Sequence, residues 1–206
     1  MFEQFEAHFL NDGQPSIGLR DTSNLGLDSD LLSLLNRYAG QTFGDNVYRI
    51  FSMDQALRLG EIISTCFEGY GEDVFCFGAD WMGRVFATNA GELVDSKPSI
   101  IMFHPEYGEI YSIPYNILDF HNKALVELAE EVVAVTFYHD WLNSGGERPS
   151  ATQCVSHEVP LLFGGADDIS NLKLVDLEAY WVISAEIIIQ TRGLPEGAEI
   201  SSIQLR

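Results

Sequence analysis

The carboxylates beside glycine turns are the first candidates for chemistry. Asp80 belongs to Asp80-Trp81-Met82-Gly83, and Asp167 and Asp168 follow Gly164-Gly165 within residues 160–181. Carboxylates brought together can relay protons or hold a cation. Carboxylates fixed on a rigid turn can instead grip an Arg or Lys of a partner. The same pattern also builds turns and nothing more, because Asp caps helices and stabilises tight turns. Both readings stay open for Asp80, Asp167 and Asp168. Trp81 adds an aromatic side chain next to an acid, a combination that can anchor a partner. Trp81, Trp141 and Trp181 equally suit the core or its edge. Five histidines complete the set: His8, His104, His121, His139 and His157. His121 and His139 fall in helical patterns, where an ordinary histidine competes with a ligand or base. No Gly-x-Ser-x-Gly elbow, no His-Glu-x-x-His and no Gly-Lys-Ser/Thr phosphate loop occurs.

Charge narrows the partners. The chain has 206 residues, 46% of them hydrophobic, enough for one large domain or two small ones. It carries 31 acidic and 11 basic residues, a formal net charge of -20. Such a surface repels nucleic-acid phosphates and anionic lipid and favours basic partners. Cys66, Cys76 and Cys154 are each set among apolar neighbours without close pairing or zinc spacing. They read as buried free thiols in a reducing compartment. No metal and no cofactor is implied. The N-terminus is acidic rather than signal-like, and no apolar run approaches the roughly 20 residues of a membrane span. The expected protein is cytoplasmic.

The elements that must position these residues follow from periodicity. Phe2, Phe5, Phe9 and Leu10 mark a short helix, followed by a loop over residues 15–26. Asp28 caps a helix carrying Leu31, Leu32, Leu35 and Tyr38 and stopping at Gly40, and a turn over 43–46 leads to a strand over 47–51. Ser52 and Gln55 form a capping box for a helix through Phe67. Strands are expected over 74–78, 84–88, 99–103 and 109–113, with a polar loop over 89–98. Tight connections make them an antiparallel meander. Helix returns around 117–121 and over most of 125–142. Residues 159–163 read as the end of a buried strand. Asp176 caps a last helix over 177–192, preferred over strand because Gly193 and Pro195 follow, and a short strand closes the chain over 199–205. The class is α+β, a β meander flanked by N-terminal and C-terminal helices.

Three segments together resemble the immunity proteins that neutralise type VI secretion DNase effectors, built from a GAD-like N-terminal domain and an immunity-type C-terminal domain. The resemblance rests on Leu31–Leu35 with Gly40 and residues 47–51, on 77–87, on 108–111 with Ile113-Pro114 and Asp119–His121, and on 160–165, Asp168, Asn171-Leu172, Asp176, Tyr180-Trp181 and 194–197. It implies a GAD-like region over 1–70 and an immunity domain over 71–206, or one continuous α+β unit. It implies a non-catalytic protein that occludes the basic cleft of a cognate nuclease. Asp80, Trp81, Asp167 and Asp168 are then the expected contacts. An enzyme using turn carboxylates with a metal, and an adaptor without a toxin partner, are the alternatives.

Overall fold

Strands β3 (Val74–Asp80), β4 (Val85–Val94) and β5 (Lys97–His104) supply the centre of the fold because apolar residues occupy both of their faces. Phe86, Ile100 and Met102 pack on one side, and Val85, Ala87, Ile101 and Phe103 on the other. A sheet apolar on both faces needs cover on both faces. The computed structural model, which describes residues 1–14, 26–71 and 73–194, provides it. Six antiparallel strands run in chain order, with β1 (Thr42–Phe43), β2 (Tyr48–Ile50) and β6 (Glu109–Ile113) completing the meander. One face is covered by α1 (Glu3–His8), α2 (Ser29–Tyr38) and a helical run from α4 (Ile117–Asp119) to α7 (Val135–Asn143). The other is covered by α3 (Met53–Cys66) and α8 (Leu177–Thr191). The α+β class and the meander are as expected. β2 pairs with β3, so one sheet runs across the expected boundary at residue 70.

Local chemistry sets the ends. Ser52 accepts from Gln55 N while Gln55 Oε1 accepts from Ser52 N, closing the capping box on α3. Asp28 caps α2, and Asp176 caps α8 by accepting from Ala179 N at 2.9 Å. The run Ile187–Ile189 is helical despite its β-branched side chains, because it sits beyond that cap on a helix with Trp181, Ala185 and Ile188 buried. Three departures have identifiable causes. The segment 89–98 is not a loop: β4 and β5 continue to a two-residue turn, Asp95-Ser96, with φ of 51° and 63°, the geometry tight hairpins use. The helix over 125–142 is interrupted at Leu128 and at Ala134, which adopts a left-handed conformation between α6 (Ala129–Val133) and α7. Residues 159–163 do not end a buried strand: a 3-10 turn over Leu161–Phe163 leaves Val159, Leu162 and Phe163 exposed. The strands nearby are instead β7 (Gln153–His157) and β8 (Leu172–Asp176), a separate antiparallel pair. All but Gly26 of the expected loop over 15–26, and the closing strand over 199–205, lie outside the described residues.

The β3–β4 turn joins all these layers from inside. Asp80 is fully buried and accepts from Met82 N at 3.0 Å, Arg84 N at 2.9 Å and Arg84 Nε at 2.5 Å. Trp81, also fully buried, donates from Nε1 to Val133 O at 2.9 Å, and its own carbonyl accepts from Val155 N at 2.7 Å. Trp181 Nε1 donates to Gly83 O at 2.8 Å. Gly83, at φ +78°, faces Cys154, Leu177 and Tyr180 so closely that a Cβ would lie 3.0–3.2 Å from each. The expectation that Asp80 and Trp81 face a partner is therefore corrected. Trp81 is too large and apolar to leave at the surface when a core stands on that side, and Asp80 organises the turn that inserts it. Burial pushes the Asp80 carboxyl above its ordinary value, and Arg84 opposes that shift. Asp80→Ala strands a buried guanidinium and two amides. We expect it to lower the unfolding free energy by about 3–5 kcal/mol in urea titrations followed by tryptophan fluorescence.

Candidate partner-binding cleft

A cleft opens where α8, the β5–β6 turn and the loop over 158–171 meet. Its larger part, about 720 Å³, is lined by Phe67, Tyr107, Ile110, Leu162 and Ile188 among others. Its smaller part, about 310 Å³, is lined by His157, Pro160, Tyr180, Ile183 and Ile187 among others. Glu106, Leu162 and Ile187 belong to both. The walls are mainly apolar, with one polar cluster at the seam.

That cluster is built from three elements. Glu106 comes from the turn after β5 that the Pro105-Glu106-Tyr107-Gly108 sequence dictates, Gly108 taking φ +61° against Ile188. His157 ends β7, and Tyr180 lies in the first turns of α8. His157 Nδ1 donates to Glu106 Oε1 at 3.2 Å, and Tyr180 OH donates to the same oxygen at 3.0 Å. Leu161 N reaches Glu106 Oε2 at 3.4 Å. On its far side His157 Nε2 faces Asp167 Oδ1 at 3.4 Å, an ion-pair contact without the alignment of a hydrogen bond. Burial raises the Glu106 carboxyl, but hydrogen bonds from His157 and Tyr180 outweigh it and hold the group below its ordinary value. The hydrogen bond to Glu106 raises His157, burial opposes, and the charges of Glu106 and Asp167 add to the rise. In this cluster the His157 ring is held between the Glu106 and Asp167 carboxylates.

The 158–171 loop is rigid for local reasons. Asn171 Nδ2 donates to Val159 O at 2.8 Å and Ala166 O at 2.9 Å, and Asn171 Oδ1 accepts from Val159 N at 2.9 Å. Gly165 passes so close that a Cβ would lie 1.9 Å from Val159 O, so only glycine fits. Asp168 caps the 3-10 turn Ile169–Asn171, accepting from Ser170 N at 2.8 Å and from the Ser170 hydroxyl at 2.6 Å, and these bonds hold its carboxyl below the usual range. The structure thus places Asp167 and Asp168 together on the surface of one loop beside the cleft. It places Asp80 and Trp81 inside the fold. The Glu106–His157–Tyr180 cluster was not singled out from the sequence. Its members are 51 and 74 residues from Glu106, and nothing in their spacing announces the contact. Buried His121 is a different case: Nδ1 donates to Ile117 O at 2.8 Å, leaving Nε2 to accept from Tyr48 OH at 3.0 Å. Burial lowers its pKa to about 4.

Electrostatically, the described surface has no free Lys or Arg side chain. Arg20 and Arg206 lie outside the described residues. Of the other nine Lys and Arg, eight pair with a carboxylate: Arg37 with Glu6, Arg58 with Glu178, Arg84 with Asp80, Lys97 with Asp30, Lys123 with Asp119, Arg148 with Asp45, Lys173 with Glu158 and Arg192 with Glu68. The ninth, Arg49, is buried and donates to Ser150 O and Gln153 O. Among the described residues no helix is long and apolar enough to cross a membrane.

No protein-family model matches the sequence, and no curated protein matches it. The crystal structure of Atu4351 from Agrobacterium tumefaciens is similar, with a TM-score of 0.62 at 13% identity, covering 90% of this chain and 88% of that one. At that identity the likeness speaks for the fold.

The cluster has a defined pH window. A histidine raised on folding stabilises fully below its ordinary 6.5, and that contribution is lost as pH rises through the folded value. A carboxylate lowered on folding stabilises fully above its ordinary 4.5, and is lost as pH falls through the folded value. His104 and His121, both lowered by burial to about 4, act in the opposite sense on the whole protein. The stability difference between the wild-type chain and His157→Gln is therefore expected to be largest between about pH 4.5 and 6.5 and to shrink at higher pH. Urea midpoints of both proteins across pH 4–9 measure it.

Proposed function

We propose that this protein captures a basic partner protein stoichiometrically, and that the partner is a nuclease whose substrate-binding cleft it occludes. The single observation carrying this reading is the unopposed acidic surface. A net charge of -20 could coexist with basic patches, but here every described cation is spent on an internal carboxylate or buried. Isolated surface pairs of this kind contribute little to stability. Their effect on the field is larger, since among the described residues no positive patch interrupts it. A nuclease must attract polyphosphate, so its cleft is cationic. An acidic protein is complementary to such a cleft, and long-range attraction speeds their encounter. The sequence resemblance to immunity proteins of type VI secretion DNase effectors names the same partner class, and the cytoplasm is where such a guard would act. Asp167 and Asp168 remain the acidic contacts we assign from the sequence, now on one exposed loop.

The test is co-expression of the open reading frame beside this gene with and without this protein, scoring viability and plasmid integrity. The expected outcome is DNA degradation by the neighbour alone, rescue on co-expression, and a stable complex on a sizing column. The association rate should fall about ten-fold or more between 50 and 500 mM salt. Asp167→Lys with Asp168→Lys should slow it further at low salt. A harmless neighbour, or damage untouched by co-expression, would sink the nuclease reading.

A further inference from the structure

We infer that the cleft between α8 and the 158–171 loop docks a short basic amphipathic segment of a partner protein, an apolar side chain entering beside Leu162 and Ile187 while flanking Lys or Arg side chains meet the acidic rim. The inference deepens the proposed function and rests on its protein-binding reading. Leu162, Ile183 and Tyr107 are 49%, 43% and 53% exposed around one concave surface. Contiguous apolar exposure of that kind marks interaction sites. The exposure does not come from a frayed chain, because Asn171, Asp168 and Gly165 fix the loop that presents Leu162. Leu162 lines both parts of the cleft, as do Glu106 and Ile187, so an incoming side chain beside it would meet apolar walls in either part.

Charge selects the occupant. The two cations lining the cleft, Lys173 and Arg192, are already paired with Glu158 and Glu68. Glu109 lines the same cleft and, among the described residues, pairs with no cation, accepting from Tyr111 OH. A second copy of this chain would bring another -20 to the interface. Like charges facing one another suppress that pairing, whereas a cationic segment is drawn in. The apolar contact then supplies what long-range charge does not, a fixed register and slow release.

The probe is a labelled synthetic peptide of leucines at helical spacing with lysines elsewhere, together with a counterpart in which glutamates replace the lysines. Binding is read by fluorescence anisotropy to the wild-type chain and to Leu162→Glu, Ile183→Glu and Leu93→Glu, the last an exposed leucine on β4 away from the cleft, with circular dichroism confirming each fold. Each variant adds a negative charge, so attraction by charge alone predicts equal or tighter binding of the lysine peptide in all three. Docking in the cleft predicts about ten-fold weaker binding for Leu162→Glu and Ile183→Glu, none of this loss for Leu93→Glu, and no binding of the glutamate peptide. Equal or tighter binding by the cleft variants overturns the inference, as does failure of the wild-type chain to bind the lysine peptide. A concentration-dependent dimer in sedimentation that Leu162→Glu dissolves overturns it in favour of a second copy. Failure of the nuclease reading is seen separately, as an unprotected or harmless neighbour in co-expression while cleft-dependent peptide binding persists.

Discussion

The buried Asp80 carboxylate is the constraint on which the other layers depend. It closes the β3–β4 turn through two backbone amides and the Arg84 guanidinium, all within four residues. A turn closed this tightly can be pushed into the interior, because its own polar groups are satisfied before it gets there. What it carries in is Trp81, whose indole reaches the end of α6 while its backbone receives β7. Arg84 extends the tie to Val132 O at 3.2 Å. Helices on one face of the sheet, the β7–β8 pair and the first turns of α8 are thus referred to one point.

That reference point decides where the cleft is. Gly83 receives Trp181 and leaves room for Cys154, Leu177 and Tyr180, so the start of α8 is held against the turn. With α8 so placed, Tyr180 reaches Glu106 on the β5–β6 turn, and β7 delivers His157 to the same carboxylate. The Glu106 oxygens in turn hold Leu161 N and, through His157, Asp167. The 158–171 loop is therefore positioned at second remove from the Asp80 turn. A fault in the turn would reach the cleft through α8 and β7 even though none of its residues lines the cleft.

How much of this is legible in sequence depends on the range of the interaction. The capping box at Ser52, the Asp176 cap and the meander order are set by residues a few positions apart, and they read correctly. Residues 89–98 misled because their polar composition marks an exposed hairpin end as readily as a loop. The α6–α7 break misled because Ala134 is a strong helix former that here takes φ 50° so that Val132 and Val133 on one helix and Tyr138 and Trp141 on the next are both buried, a tertiary demand that overrides propensity. Asp80-Trp81 reads as an exposed anchor in isolation, since nothing within the turn reveals that α6, β7 and α8 close over it. The Glu106–His157–Tyr180 cluster is invisible for the same reason.

The stretch over 160–181 divides sharply under this physical accounting. Gly165 is required by the approach to Val159 O, Asn171 by its three loop hydrogen bonds, Asp168 and Asp176 by the turns they cap, and Tyr180 and Trp181 by Glu106 and Gly83. Each has a duty inside this chain. Leu162 and Phe163 do not: they are 49% and 38% exposed, on a loop that Asn171, Asp168 and Gly165 hold in place. An apolar pair left at the surface costs hydration free energy that a polar pair would avoid. The fold therefore gives no reason for their type, and a reason outside the chain is what a contact surface supplies. Under the proposed capture of a basic partner, the acids supply the attraction and Leu162, at the seam of the cleft, supplies the apolar contact.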